Sequence, residues 1–264
     1  MGMNGAAWAT VIAQGVAGVG ITIYSVVKLP LLRSNITSVG WNFGRLKEII
    51  SNDVATGIQQ SVMNFGILMI QGLVNSFGAT VMASFAAAVK IDTIAYMPAQ
   101  EFGNAYSLFV SQNYGAKKKE RIREGTRISI LVSAAFGVII SSLICIFSEK
   151  LMQLFIDADE VEILAEGVRY LRIEGAAYVG IGILFLWYGY FRGVGKPHIS
   201  LILTSISLGI RVALSYALAP NTLFEVTAIW CSIPFGWFLA DVVGLFFYHS
   251  NGIEKNMIVG GSEK

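Results

Sequence analysis

Seven stretches of about 20 mostly apolar residues follow one another along the chain, and they constrain its fold more than any other feature. A helix of about this length crosses a hydrocarbon core of about 30 Å. The stretches are approximately Ala6–Val27, Ile58–Ala79, Thr93–Tyr114, Ile128–Ser148, Ile173–Phe191, Ile199–Ala219 and Val226–Tyr248. We therefore expect an all-α integral membrane protein, a polytopic bundle of about seven transmembrane helices.

Composition supports the membrane interpretation and argues against several classes of function. Hydrophobic residues make up 55% of the chain and charged residues only 14%, whereas soluble domains have about 25% charged residues. A net charge of +2 is too small to favour nucleic acid as a partner, and membrane lipid is the expected surrounding. Cys145 and Cys231 lie in apolar runs, with no disulfide or metal spacing. Because no catalytic, phosphate-binding or metal-binding motif is visible, we expect neither an enzyme nor a resident cofactor or metal.

The charges of the connecting loops predict an orientation in the membrane. Basic residues are concentrated in alternate connections: Lys28, Arg33, Arg45 and Lys47, then Lys117–Lys119, Arg121, Arg123 and Arg127, then Arg192 and Lys196. The intervening connections are acidic around Asp157–Glu162 or nearly uncharged at Pro220–Glu225. Since positive loops face the cytoplasm, we predict a plasma-membrane protein with its N-terminus outside and its C-terminus inside.

The stretch Gly44–Thr56 differs from the other connections. Leu46, Ile49, Ile50 and Val54 are at helical spacing among charged residues, which predicts an amphipathic helix on the cytoplasmic surface or an ordinary connecting helix. The predicted organisation is a single transmembrane helix in 1–28, a cytoplasmic linker in 29–56, a six-helix unit in 57–250 and a cytoplasmic tail in 251–264.

The second stretch has a stripe of amide side chains. Gln60, Asn64, Gln71 and Asn75 fall within a sector of about 60° on a helix. An unpaired amide in hydrocarbon is costly, so the stripe must face other helices or a polar cavity. It therefore predicts either a cavity lining or interhelical hydrogen bonds that only hold the bundle together.

The third stretch repeats this pattern and adds a carboxyl group. Gln100, Asn104, Ser107 and Ser111 follow one another at spacings of four, three and four residues. Pro98 should loosen the helix because it removes a backbone hydrogen bond. Glu101 lies in the same stretch, and a carboxyl at that depth is either a carrier of a proton or cation or a satisfied group near the boundary.

Other charged and aromatic residues near the membrane have simpler interpretations. Arg211 and Asp241 are intramembrane and should face partners in the bundle interior. Lys90 and Asp92 are expected to snorkel from the outer end of the third stretch. Two further sets are expected at interfaces: Glu166, Arg169, Arg172 and Glu174 at the outer mouth, and Phe185, Trp187, Tyr188, Tyr190 and Phe191 as an aromatic belt or, alternatively, a ligand-stacking cluster.

Four motifs, in order and spacing, carry a family resemblance. They are GIQQ at Gly57–Gln60, AQEFGNAYSLFVSQNYGAK at Ala99–Lys117, RGVGKP at Arg192–Pro197 and RVALSY at Arg211–Tyr216. With them, Gly57–Tyr248 resembles the multidrug and toxic compound extrusion (MATE) family of cation-coupled exporters. The resemblance implies one six-helix lobe of a twelve-helix transporter, preceded by the last helix of the other lobe.

The same resemblance implies a function and a partner. It implies an antiporter that exports drugs and organic cations in exchange for H+ or Na+, and that needs an N-terminal lobe supplied by the same protein or a separate chain. Some members have an acidic cation site on the helices matching the second and fifth stretches. Here the regions Asn64–Leu68 and Gly180–Ile183 have no acid, which leaves Glu101 as the ion-coupling candidate.

Two other membrane functions compete with this one. A lipid-linked oligosaccharide flippase of the same superfamily needs a cationic cavity for a diphosphate, and only Arg211 is plainly intramembrane. A seven-helix receptor fits the orientation, but a retinal protein needs a lysine in the last stretch, and Val226–Tyr248 has none.

Cysteine labelling checks the predicted orientation. In a chain with both native cysteines replaced, a cysteine at position 118 should react with a membrane-impermeant maleimide only after the membrane is opened. A cysteine at position 159 should react in intact cells. External labelling at 118 but not at 159 would overturn the topology.

Overall fold

Every regular element in the computed structural model is an α-helix, within the residues that it describes, 2–28, 42–219 and 225–250. Helices α1 and α2 span Gly2–Lys28 and Phe43–Asn75. They are followed by α3 (Ala79–Gly115), α4 (Lys119–Met152), α5 (Val161–Gly175), α6 (Tyr178–Gly193), α7 (Pro197–Leu218) and α8 (Glu225–Ser250). The prediction of an all-α fold is confirmed.

Six of the seven predicted stretches fall on helices fit to cross a membrane. Among the described residues, five helices are long and apolar enough, and α5 with α6, bent by 52° at a short break, adds a sixth. The stretch Ile58–Ala79 falls mainly on α2, which is not among them, because its amides lower its mean hydropathy. The protein is therefore a multi-pass helical membrane protein.

The predicted amphipathic helix is not a separate element. Gly44–Thr56 and most of the second stretch form the single 33-residue helix α2. No proline interrupts Phe43–Asn75, so nothing local breaks the helix between the amphipathic and the apolar part. The predicted boundary at position 56 lies inside this helix. Residues 29–41 of the predicted linker, and the tail 251–264, lie outside the described residues.

The chain has two compact units, Met1–Ile49 and Ile50–Lys264. In the first, α1 is apolar almost all round, and Trp8, Val16 and Ile21 are each more than 60% exposed. A helix of this kind needs lipid or other helices around it. The second unit has the buried core.

Helices α3 and α6 pack backbone against backbone in the second unit. A Cβ added to Gly103 would lie 2.7 Å from the carbonyl oxygen of Phe185, and one added to Gly189 would collide with the carbonyl oxygen of Gly103. Gly193 meets the carbonyl oxygen of Ser107 in the same way, at 2.8 Å. Small residues allow helix backbones to touch, which is a main source of packing energy in membrane helices.

Aromatic residues fill the interior of this unit. Phe85 stacks on Trp230 with ring centroids 5.4 Å apart, and Tyr170 meets Trp230 edge-on at 4.9 Å. The expectation that these aromatic residues form an interfacial belt is wrong. All five are buried inside the unit, and each is at most 9% exposed: Phe185, Trp187, Tyr188, Tyr190 and Phe191. Sequence position near Arg192 suggested an interface, but α6 is surrounded by the other helices of the unit.

Replacing Gly189 with alanine tests the α3–α6 crossing. The new methyl group would meet a backbone carbonyl, which has no rotamer to escape into, so we expect a loss of about 1–3 kcal/mol in stability. Gly209→Ala is the matched control, because nothing lies within 4 Å of its Cβ position. Thermal unfolding of the detergent-solubilised protein measures both variants. Equal unfolding temperatures would contradict the proposed crossing.

Candidate functional site

A cavity of about 130 Å³ lies inside the second unit, where six helices converge. Its wall is mostly apolar and aromatic, with Met63 and Ile67 from α2, Phe185 from α6 and Trp237 from α8. The polar side chains in the wall come from four helices: Asp92, Gln100, Glu174, Tyr188, Thr204, Ser207 and Arg211 among them. An apolar cavity with a few converging polar groups is the usual form of a ligand site.

Two acids and one base meet in this cavity. Asp92 on α3 is 5% exposed and Glu174 on α5 is 2% exposed, while Arg211 on α7 is half-buried. The expectations that Asp92 snorkels outward and that Glu174 is interfacial are therefore wrong. The prediction that Arg211 faces the bundle interior is consistent with its place in the cavity wall, within electrostatic range of both carboxyls.

A hydrogen bond holds one of the two carboxyl groups. The Tyr178 hydroxyl donates to Asp92 Oδ1 at 2.5 Å, and Tyr170 lines the cavity beside Glu174. Glu174 Oε2 and Arg211 Nε are buried without a hydrogen-bond partner. Among the described residues only Glu166 and Arg169 form an ion pair, so Arg211 is not locked to either acid. Unpartnered buried polar atoms in a cavity are places for an ion, a proton or water.

The break between α5 and α6 contributes to the site. Glu174 is the penultimate residue of α5 and Tyr178 is the first of α6, on either side of the 52° bend. The Ala177 N–H closes the end of α5 by donating to the Glu174 carbonyl at 3.0 Å. Broken membrane helices commonly place ion and substrate sites in transporters.

A second, more polar cavity of about 160 Å³ adjoins the first. The two share Met63, Gln100, Phe185 and Tyr188 in their walls. In the second cavity Arg192 Nη2 donates to Asn104 Oδ1 at 2.9 Å.

Two further hydrogen bonds involve residues that line this cavity. Asn104 Nδ2 donates to Glu101 Oε2 at 3.3 Å, and Gln59 Nε2 donates to Thr204 Oγ1 at 2.9 Å. Because the shared walls connect both cavities, polar groups run from Arg192 through Gln100 to the acid pair.

The predicted cavity-lining residues divide into two groups. Gln60, Gln100 and Asn104 line the cavities. The remaining amides of the α2 stripe are exposed and line neither: Asn64, Gln71 and Asn75. The buried amide of this helix is Gln59, which the stripe analysis missed because Gln59 lies outside the sector shared by the other four.

Three other predicted residues lie away from the cavities. Glu101 is exposed and lines neither, so its part in ion coupling stays a prediction. Ser107 is half-buried at the α3–α6 crossing, where its carbonyl meets Gly193. Asp241 on α8 points toward Gly180 near the start of α6, and its Oδ1 atom is buried without a partner.

No group of three or more histidine, cysteine, aspartate or glutamate side chains able to hold a metal ion occurs within the described part of the chain. The chemistry available in the cavities is therefore that of two carboxyls, guanidinium groups, amides and hydroxyls. Such a set can bind a proton or a monovalent cation and can hydrogen-bond a polar ligand.

Comparison with known proteins identifies relatives along most of the chain. It is 29% identical over 208 residues to "Probable multidrug resistance protein YpnP" of Bacillus subtilis, covering 78% of this chain and 46% of that protein. It is 24% identical over 262 residues to "Probable multidrug resistance protein NorM" of Thermotoga maritima, covering 98% of this chain and 55% of that protein. The chain thus spans about half the length of the curated relatives it matches.

Solved structures and a family model agree with these relatives. The fold matches a crystal structure of MATE in the bent conformation with a TM-score of 0.82 at 20% identity, covering 98% of this chain and 57% of that one. It also matches a MOP superfamily transporter from Pyrococcus furiosus with a TM-score of 0.85 at 20% identity, covering 96% and 57%. The MatE family model matches residues 55–217, more than half of the chain, and this chain belongs to that family.

Proposed function

We propose that this chain is the C-terminal lobe of a multidrug efflux antiporter that exchanges organic cations for H+ or Na+, and that Asp92 and Glu174 receive the coupling ion. The multidrug names of the relatives and the half-length match support the first part. The observation that carries the second is the buried pair of carboxyls around one guanidinium group.

Charge balance explains why such a cavity takes up one cation. With both carboxyls and Arg211 ionised, the cavity has a net charge of −1, which is costly in a low-dielectric interior. One bound proton or sodium ion brings the cavity to neutrality. The unpartnered Oε2 of Glu174 supplies an acceptor for that ion.

The acid pair also supplies the carboxyl groups that two regions of the sequence lack. The regions Asn64–Leu68 and Gly180–Ile183, where the resemblance implies a cation site in some members, have no carboxyl. Asp92 and Glu174 supply two carboxyls from the neighbouring turns of α3 and α5. Glu101 remains the alternative, and it is tested beside them below.

A drug path is proposed on the exposed face of α2. Asn64, Gln71 and Asn75 are exposed on this chain. Amide groups are costly against lipid, so we assign this face to the central cleft, opposite an N-terminal lobe. Alternating access then moves the two lobes about a site near the midplane.

One observation favours the flippase as a second candidate. Arg192 lines the polar cavity, so two guanidinium groups, not only that of Arg211, reach the interior of the lobe. Arginine pairs are suited to bind a diphosphate. Movement of a fluorescent polyprenyl diphosphate, in place of a cationic dye, in the assays below would favour this function.

Neutral replacements of the acids test the coupling site in the two-lobe transporter. Asp92→Asn and Glu174→Gln keep size and hydrogen bonding but do not ionise, so ion-driven dye export should fall by about 5- to 150-fold, the usual range of a 1–3 kcal/mol coupling. Glu162→Gln is the control, since this exposed residue lies on the same helix as Glu174. Full export in both variants, with loss in Glu101→Gln, would move the coupling role to Glu101.

The chain by itself should not transport. A single lobe has no second lobe to move against, so proteoliposomes containing only the 264-residue chain should retain a cationic dye under a proton or sodium gradient. Adding an N-terminal lobe should restore movement. Gradient-driven dye movement by the chain alone would show that the half-transporter proposal is wrong.

A further inference from the structure

A groove of about 680 Å³ lies between α4 and α8, with Trp187 of α6 in its wall. One face of α4 lines it, because Glu120, Arg123, Glu124 and Arg127 are spaced three or four residues apart. Further along the same face the wall becomes apolar, with Leu131 and Leu245. The groove therefore has a charged end and an apolar end, as a phospholipid does.

The charged end alternates in sign along the helix. Its two arginines and two glutamates sum to zero, so the groove complements a zwitterion better than a simple anion. Going inward from the start of α4 at Lys119, Glu120 comes first and Arg127 last. One helical turn is 5.4 Å, similar to the spacing of ammonium and phosphate in a phosphoethanolamine headgroup.

The two arginines are available for a ligand. No carboxylate lies within ion-pairing distance of Arg123 or Arg127 among the described residues, although Glu120 and Glu124 are one turn away. Both guanidinium groups are exposed. Arginine binds phosphate oxygens through paired, charge-assisted hydrogen bonds.

Trp187 provides an independent indication of a ligand. The side chain is 4% exposed, and its Nε1 donor is buried with no hydrogen-bond partner. Gly244 makes room for the indole, since a Cβ there would lie 2.8 Å from Trp187 Cδ1. A buried N–H donor in a membrane protein normally has an acceptor, and the Nε1 donor of Trp187, a residue of the groove wall, has none among the described residues.

We propose that this groove binds a zwitterionic phospholipid with a primary ammonium group, a phosphatidylethanolamine. Its phosphate lies between Arg123 and Arg127, its ammonium group faces Glu120 and Glu124, and an acyl chain follows Leu131 and Leu245. Phosphatidylcholine lacks the N–H donors for the glutamates, and phosphatidylglycerol lacks the cation.

Quenching of tryptophan fluorescence by brominated lipid measures this preference on the whole chain. Bilayers of dioleoylphosphatidylcholine receive equal fractions of brominated phosphatidylethanolamine, phosphatidylcholine or phosphatidylglycerol. Subtracting the signal of Trp187→Phe isolates the response of Trp187. We expect the strongest quenching with phosphatidylethanolamine, and equal quenching by all three lipids would overturn the proposal. Native mass spectrometry of lipid retained by the purified protein gives a second readout that does not need Trp187.

Matched double variants identify the groups responsible. Arg123→Gln with Arg127→Gln should lower the apparent affinity for phosphatidylethanolamine about tenfold, or about 1.4 kcal/mol. Lys119→Gln with Arg121→Gln removes the same charge from residues outside this groove and should change nothing. Equal losses in the two would indicate general surface charge and overturn the proposal.

The glutamates distinguish the zwitterion from a simple anion. Glu120→Gln with Glu124→Gln should abolish the preference for phosphatidylethanolamine over phosphatidylglycerol while retaining lipid binding. Two results would contradict the proposal and indicate a simple anion site. One is stronger binding of phosphatidylglycerol by the unmodified protein, and the other is displacement of the lipid by inorganic phosphate.

Discussion

The backbone contact between α3 and α6 determines where the polar groups of the second unit lie. Gly103 and Gly189 bring the two helices together at a distance that no side chain permits. Residues adjacent to this contact are placed with it: Asn104 follows Gly103 and meets Arg192, which precedes Gly193. Nearer the N-terminal ends of both helices, the same pairing brings Tyr178 to Asp92. A substitution that separates these helices would therefore disturb both cavities as well as the packing.

The acid cavity does not contain a closed salt bridge among the described residues. A buried carboxylate is normally paired, because the desolvation of an isolated charge is costly. Here two carboxyls share a wall with a guanidinium group that pairs with neither in the described structure. The Tyr178 hydroxyl holds Asp92, while Glu174 Oε2 is buried without a hydrogen-bond partner. An arrangement that costs stability and leaves an acceptor free is more typical of a functional site than of a packing device.

The sequence predicted the helices well because apolar length is a strong local signal, but it placed buried charge poorly. Asp92 was expected at a helix end because the apolar stretch was begun at Thr93. The helix begins at Ala79, so Asp92 lies about 20 Å inside it. The buried alanines at positions 88, 95 and 99 share its face and were the signal that was missed. Glu174 was misplaced for a different reason: it lies at a helix break that no proline marks. Both helices beside the break pack against α3 and α4.

The exposed amides of α2 bear on what surrounds this chain in the membrane. Gln59, on the buried side of the helix, has a partner in Thr204, as an amide inside a membrane protein needs. Asn64, Gln71 and Asn75 are exposed on the surface of this chain. Lipid offers such groups no hydrogen bonds, so this face requires water or a protein surface beside it. The groove between α4 and α8 has the opposite character, since an apolar wall leads away from its charged end and suits an acyl chain. In the proposed transporter, the two faces therefore have different neighbours: an aqueous cleft and a second lobe beside α2, and the bilayer beside α4 and α8.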